Sequence, residues 1–435
     1  MRRDSGNRPG TLLAGGAAAL AVALLVTGCG GGSSSKSAAK DDPDAKVTLT
    51  VNLFSDFGYK ELYAQYHKLH PNVTIKENRA DMGAHHQNLH AHLVAGSGTA
   101  DIEAIEIGQV AGFQSQASKF VNFLDHGVDK NQWVPSKTAP ASSRDGSSLF
   151  GLGTDMGGLA LCYRADLFQK AGLPTDRTQV SALLSSWDAY FATGKQFLAK
   201  SPDKKAKWFD AGSNVFSAMT AQDAQAFYDA DGKVIATTNP SVKTAFDAVS
   251  GAIKDGESAG IAAFTPAWDT GFRKSQFATV TCPAWMSYEF KANPPTDGGT
   301  WDMASIPGGG GNWGGSYLTV PTQGKHIDAA VDLAKWLTAP AQEAWLFKTK
   351  GFFPSDQALW SQPDIANLTD SMFNSAPTGK LFSDSAKNLN PQPLGPHGAD
   401  IGNIYGNGLV SVEQGKASPD KAWSNSNAEI KNIGE

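Results

Sequence analysis

Val47, Leu49, Val51 and Leu53 alternate with polar residues, the two-residue period of a strand with one buried face. The period then lengthens. Leu62, Tyr63, Tyr66 and Leu69 recur at helical spacing over 61–70, and Pro71 ends the run. A second strand is predicted over 73–77, a helix over 85–94 stopping at Gly96-Ser97-Gly98, and a third strand over 101–107. Such a β-α-β-α-β opening implies parallel strands joined by right-handed crossovers, so the fold class is α/β. Further on, 154–164 and 278–282 read as strands, and 187–200 and 242–253 as helices, the latter opened by Asn239-Pro240. Asp231-Gly232 marks a hairpin turn. Ile327, Ala330, Val331, Ala334 and Leu337 line one side of another helix, and 418–430 closes the chain as a helix with Pro419 in its first turn.

The start of the chain has a different pattern. Arg2, Arg3 and Arg8 precede 16 residues, Thr11 to Val26, dominated by Ala, Leu, Val and Gly, which is short for a membrane span and right for an export signal. The run ends at Val26-Thr27-Gly28-Cys29, which resembles a bacterial lipobox, where the cysteine is acylated and the chain is cut before it. Residues 1–28 are therefore expected to be a lipoprotein signal peptide. Residues 29–45, rich in Gly and Ser, would be a flexible tether to a lipid on Cys29 at the outer face of the cytoplasmic membrane. No apolar residues closely follow Arg2-Arg3, which favours general secretory export over the twin-arginine route.

Composition removes some functions. Without the signal peptide the chain holds 34 basic and 41 acidic residues and no basic stripe, so nucleic acid is an unsuitable partner. A length of 435 residues suits two lobes better than one domain. Beyond Cys29 only Cys162 and Cys282 remain; outside the cell they either pair as a disulfide or stay as two buried thiols.

The segment Tyr163-Arg164-Ala165-Asp166-Leu167-Phe168-Gln169-Lys170-Ala171-Gly172-Leu173-Pro174 resembles the signature of family 1 extracellular solute-binding proteins, the receptors of carbohydrate ABC importers. Asp166 is placed to cap the helix, with Gly172 and Pro174 to end it. Cys282-Pro283-Ala284-Trp285-Met286, Gly311-Asn312-Trp313-Gly314-Gly315-Ser316 and the 329–340 helix fit the same pattern across nearly all of 46–435. Within that family the chain is most similar to cellobiose- and cellotriose-binding lipoproteins of high-GC Gram-positive bacteria. The resemblance implies a two-lobed periplasmic-binding-protein fold of type II, with a ligand cleft and a hinge of crossing strands. Lobe 1 would comprise 46–160 and 312–360, and lobe 2 would comprise 161–311 and 361–435. The crossings would fall near 161–164, 303–311 and 360. It also implies a monomer with no cofactor and no catalytic activity, capturing an oligosaccharide for ABC permease subunits and touching the membrane by its lipid alone.

A pyranose offers hydroxyls at its rim and C–H bonds on its faces, so binding calls for flat aromatic surfaces and fixed polar groups. Trp268, Trp285, Trp301 and Trp313 fall within 46 residues and are candidate stacking surfaces. Trp313 is favoured because its glycine neighbours, Gly314 among them, let backbone approach a ligand; Trp285 matches a family position that stacks on sugar. Trp187, Trp336 and Trp345 lie on predicted helices and are read as packing. Asp155, Glu106 and Asp56 are candidate hydroxyl acceptors, the last two because α/β sheets bind ligands at the carboxyl ends of strands. The chain departs from the family at His397-Gly398-Ala399-Asp400 after Leu394-Gly395-Pro396, and at Ser287-Tyr288-Glu289-Phe290, which puts the sugar in question.

Two other classes compete with this reading: a lipid-anchored glycoside hydrolase, and a metal-ion receptor built on His85, His86, His90 and His92. No nucleophile elbow or singled-out acid pair supports the first. For the second, the histidines flank the inner face set by Leu89 and Leu93 as surface residues would, and no further ligand completes a site. Gly309-x-Gly311-x-x-Gly314 matches a dinucleotide fingerprint only by accident, since a strand follows it. Asp229-Ala230-Asp231-Gly232 fails as a calcium loop at Pro240.

Overall fold

The computed structural model describes residues 45–433; the expected signal peptide, Cys29 and the expected tether to residue 44 lie outside them. Two mixed sheets organise the rest. The first has the order β2-β1-β3-β9-β4, from β1 (Val47–Leu53), β2 (Val73–Arg79), β3 (Ile102–Glu106), β4 (Leu152–Gly153) and β9 (Ser316–Thr319). Strands β1, β2 and β3 run parallel as expected, and β9 pairs antiparallel to both β3 and β4. Val47, Leu49, Val51 and Leu53 all face the core, with Leu62, Tyr66, Leu89 and Leu93 from the first two helices (Lys60–Leu69 and Met82–Ala95). Asp81 starts the second of these by accepting from the Gly83 and Ala84 N–H groups.

The second sheet has the order β6-β7-β5-β8, from β5 (Leu159–Arg164), β6 (Lys207–Phe209), β7 (Phe277–Pro283) and β8 (Trp301–Ser305). Every residue of β5 and β7 is buried, because helices cover both faces. One face packs helices Trp187–Lys200, Gly212–Thr220, Pro240–Lys254, Gly398–Glu413 and Pro419–Ile433, and the other packs Pro266–Arg273 and Thr378–Lys387. A disulfide between Cys162 and Cys282 ties β5 to β7, with Cα atoms 5.8 Å apart.

The chain passes from the first sheet to the second through 154–158, ahead of the expected 161–164, which is the interior of β5. It returns through 306–315, and 351–356 runs alongside, with Met156 bridged to Phe353. Asp166 does not cap its helix as expected. It lies inside Ala165–Lys170 and grips the fully buried Arg164 through two hydrogen bonds of 2.8 and 3.0 Å. A buried guanidinium takes a charged partner before a helix end does.

Glu257 lies in the second core with both carboxyl oxygens lacking a partner, and burial pushes its pKa from 4.5 up to about 8. The folded chain therefore binds more protons than the unfolded chain between those values, and this group's contribution to stability falls as pH rises through that window. Glu257→Gln mimics the protonated acid. Its stability relative to the native chain should rise between pH 4.5 and pH 8 and then level off. Urea titrations across that range check this, and a constant difference would contradict it.

Candidate functional site

A cavity of about 250 Å³ lies between the two sheets, at the carboxyl end of β3. Glu106, Ile107, Gly108, Lys137 and Met156 line it from the first sheet's side, and Asn312, Trp313 and Gly314 from the returning crossing. Opposite stand Phe216, Ser217 and Thr220 of the Gly212–Thr220 helix, the pair Phe227 and Tyr228, and the 389–395 segment leading to the Gly398–Glu413 helix.

Trp313 owes its place to the crossings. Its N–H donates to the Gly157 carbonyl at 2.8 Å, and Asn312 Oδ1 accepts from the Gly157 N–H at 2.9 Å. A Cβ on Gly157 would stand 1.7 Å from the Trp313 carbonyl oxygen, so only glycine allows the contact. The Trp285 indole donates to that same carbonyl at 2.8 Å and meets the Trp313 ring edge to face at 5.7 Å. Phe264 then stacks on Trp285 at 5.9 Å and 27°, 59% exposed and at a φ of 62° that bulky residues rarely adopt. Trp313, Trp285 and Phe264 thus form one aromatic cluster, of which Trp313 alone is among the residues that line the cavity.

The candidate acids divide. Glu106 lines the cavity; its Oε2 accepts from the Gly108 N–H at 2.6 Å, and burial pushes its pKa up to about 7. Asp155 lies beneath the cavity wall. Its Oδ1 accepts from the Ser316 N–H at 3.0 Å and the Thr154 hydroxyl at 2.7 Å, holding the entry to β9, and burial raises its pKa. Asp56 is exposed, caps Gly58 and pairs with Arg79 at 3.0 Å, away from the cavity. It answers a nearer cation than any cleft ligand.

Trp268 and Trp301 are not cleft residues. Both are buried among Phe272, Phe277 and Phe290 in the second sheet's core, and Trp268 donates to Asp210 at 2.9 Å. An indole flanked by so much apolar surface is taken up by packing. Nor are the histidines all superficial. His85 and His86 are both 4% exposed. His85 Nε2 donates to the Ala104 carbonyl at 2.6 Å. His86 Nδ1 donates to the Met82 carbonyl at 2.7 Å, while its Nε2 accepts from the Glu106 N–H at 3.1 Å. Burial lowers both pKa values, that of His86 to about 4, so the His86 ring is a neutral strut under Glu106. Among the described residues no group of three His, Cys, Asp or Glu is placed to hold a metal.

Several lining residues carried no signal of function. Lys137 is 1% exposed, stands in the short Pro135–Thr138 helix, and points its ammonium over the Tyr317 ring at 4.1 Å. Burial lowers its pKa to about 8, against the pull of Asp155, Glu106 and Glu343. Phe227 and Tyr228 precede the Asp231-Gly232 turn, and that aromatic pair was the available clue. Gly395 is needed beneath Tyr228, where a Cβ would stand 2.2 Å from the ring. Gln392 fixes the same segment by donating to the Thr220 carbonyl at 2.6 Å. Where the chain departs from the family pattern, His397 turns to Asp400, and Gly398, Ala399 and Gly402 leave a wall of small residues.

The chain belongs to the bacterial extracellular solute-binding proteins, whose family model matches residues 61–370. A crystal structure of a family 1 extracellular solute-binding protein is 41% identical, with a TM-score of 0.80 over 89% of this chain and 100% of that one. The arabinooligosaccharide-binding protein of Bacillus subtilis (strain 168) is 23% identical over 407 residues, 88% of this chain and 90% of the relative. The ABC-transporter-associated binding protein of B. animalis subsp. lactis Bl-04, solved with β-1,6-galactobiose, is 18% identical with a TM-score of 0.74, covering 90% and 98% of the two chains. The fold is that of the type II periplasmic binding proteins, and the family is one of binding proteins rather than enzymes.

Proposed function

We propose that this chain is the oligosaccharide receptor of an ABC importer, tethered outside the cell by a lipid on Cys29 and handing its ligand to the permease subunits. The observation that carries the reading is a cavity furnished from both sheets. Trp313, Phe216, Phe227 and Tyr228 give it aromatic walls, with Glu106 and Lys137 at the polar end. Apolar faces with a few convergent polar groups suit a sugar ring better than an ion or a peptide. The oligosaccharides named for two of the relatives above support the same class.

Residues 46–160 with 312–360 would act as one lobe, and 161–311 with 361–435 as the other. A ligand touching both favours their approach, since only differential contact shifts such an equilibrium. Cellobiose and short cello-oligosaccharides are the favoured ligands, on the resemblance of the Trp285 and Trp313 motifs. Trp313 serves the first ring, and the Trp285 and Phe264 surface serves a second.

Calorimetry against cellobiose, cellotriose, arabinotriose, β-1,6-galactobiose and maltose tests this directly. At least one neutral oligosaccharide should bind, and Trp313→Ala should weaken it by about 1–3 kcal/mol. Binding of none, or an affinity indifferent to Trp313, would contradict the reading. The anchor is tested separately: the native chain should label with palmitate in cells and Cys29→Ala should not. Equal labelling of the two would refute the lipobox.

A further inference from the structure

Lys137 combines three properties that a structural lysine does not need. It is 1% exposed, its Nζ has no hydrogen-bond partner, and it lines the cavity. A buried ammonium with three unused donors is costly to leave unsatisfied. The chain has nonetheless made room for it: a Cβ on Gly315 would stand 3.1 Å from Nζ, and one on Gly153 3.0 Å from Cε.

None of the neighbouring carboxylates forms an ion pair with it, and each has a hydrogen bond of its own. Asp155 Oδ1 accepts from Ser316 and Thr154, and Glu106 Oε2 from Gly108. Glu343, on the helix Pro340–Lys350, accepts from the Ser355 hydroxyl at 2.7 Å and the Asp356 N–H at 2.8 Å. They attract Lys137 through space without meeting it in an ion pair. The remaining group packed on the ammonium is the Tyr317 ring, which offers a π face and no strong acceptor, its hydroxyl donating to the Lys137 carbonyl at 2.8 Å. The cavity that Lys137 lines is the open side from which an acceptor for Nζ would come.

We propose that Lys137 is the specificity-determining residue at the polar end of the cleft: its ammonium donates to a hydroxyl or ring oxygen of a neutral sugar lying on Trp313, and an acidic sugar is refused at the same position. This rests on the oligosaccharide reading and narrows it to uncharged glycans. A hydroxyl suits the position because it accepts from Lys137 and donates its own proton to Glu106, satisfying both. A uronate carboxylate does not. It can only accept, and three carboxyl groups, those of Asp155, Glu106 and Glu343, already stand around the one ammonium.

The test uses the full chain and calorimetry with cellobiose, arabinotriose, β-1,6-galactobiose and digalacturonate. Lys137→Met keeps most of the side-chain volume and removes the ammonium. Whichever neutral sugar binds the native chain should bind Lys137→Met about 10- to 150-fold more weakly, as for a lost hydrogen bond to a charged group. The melting temperature without sugar should hold or rise, since a buried charge has gone. Digalacturonate should not bind the native chain, an arm that needs no variant to fold. Undiminished affinity in Lys137→Met, or digalacturonate binding more tightly than the neutral sugars, overturns the proposal and leaves the oligosaccharide reading intact. Failure of the native chain to bind any of the four overturns that reading and this proposal with it.

Discussion

Gly157 and Trp313 meet where the chain first leaves one sheet and where it returns. The Gly157 carbonyl accepts from the Trp313 N–H, its own N–H donates to Asn312, and no side chain fits between the two strands. From this contact follow the position of the Trp313 ring on the cavity and the availability of its carbonyl to the Trp285 indole. The wall of the cleft is thus made by the segments that also join the two halves. In the proposed receptor, a ligand on Trp313 would touch the same segments that join the two halves.

The polar end of the cleft is built on a different principle. Glu106 is held from behind, its N–H on a neutral His86 and its carboxylate on the Gly108 N–H. Lys137 is held over the Tyr317 ring and against two glycines, with carboxylates near it but none in an ion pair. Leaving its ammonium unpaired sacrifices stability, and such sacrifices concentrate where a ligand completes the set. Glu257 has the same unpaired character in the second core, away from this cavity, and its response is to hold its proton.

Much of this was legible in the sequence, for identifiable reasons. The strand over Val47–Leu53 and the helices over 187–200 and 327–337 announce themselves by period, because one face of each is buried and the other is not. Trp313 drew notice through its flanking glycines, and it does line the cavity; Gly314 and Gly315 also take positive φ, of 84° and 104°. Trp268 and Trp301 looked equivalent to it by type and neighbourhood; only the third dimension places them behind Phe272 and Phe290. Lys137 was invisible for the opposite reason. A lysine between serine and threonine is nearly always solvated, and its burial depends on Gly153, Gly315 and Tyr317, which are remote in sequence. His85 and His86 misled because their buried partners are backbone groups of β3 and of their own helix, which leave no residue-type trace.

A crystal structure of the chain with whichever neutral oligosaccharide binds it most tightly tests the central claim most directly. The account predicts a sugar ring on the Trp313 face, an oxygen of that ring within hydrogen-bond distance of Lys137 Nζ, and contacts from both sheets to one ligand. A sugar held by one half alone, or seated outside the cleft between the sheets, would contradict it.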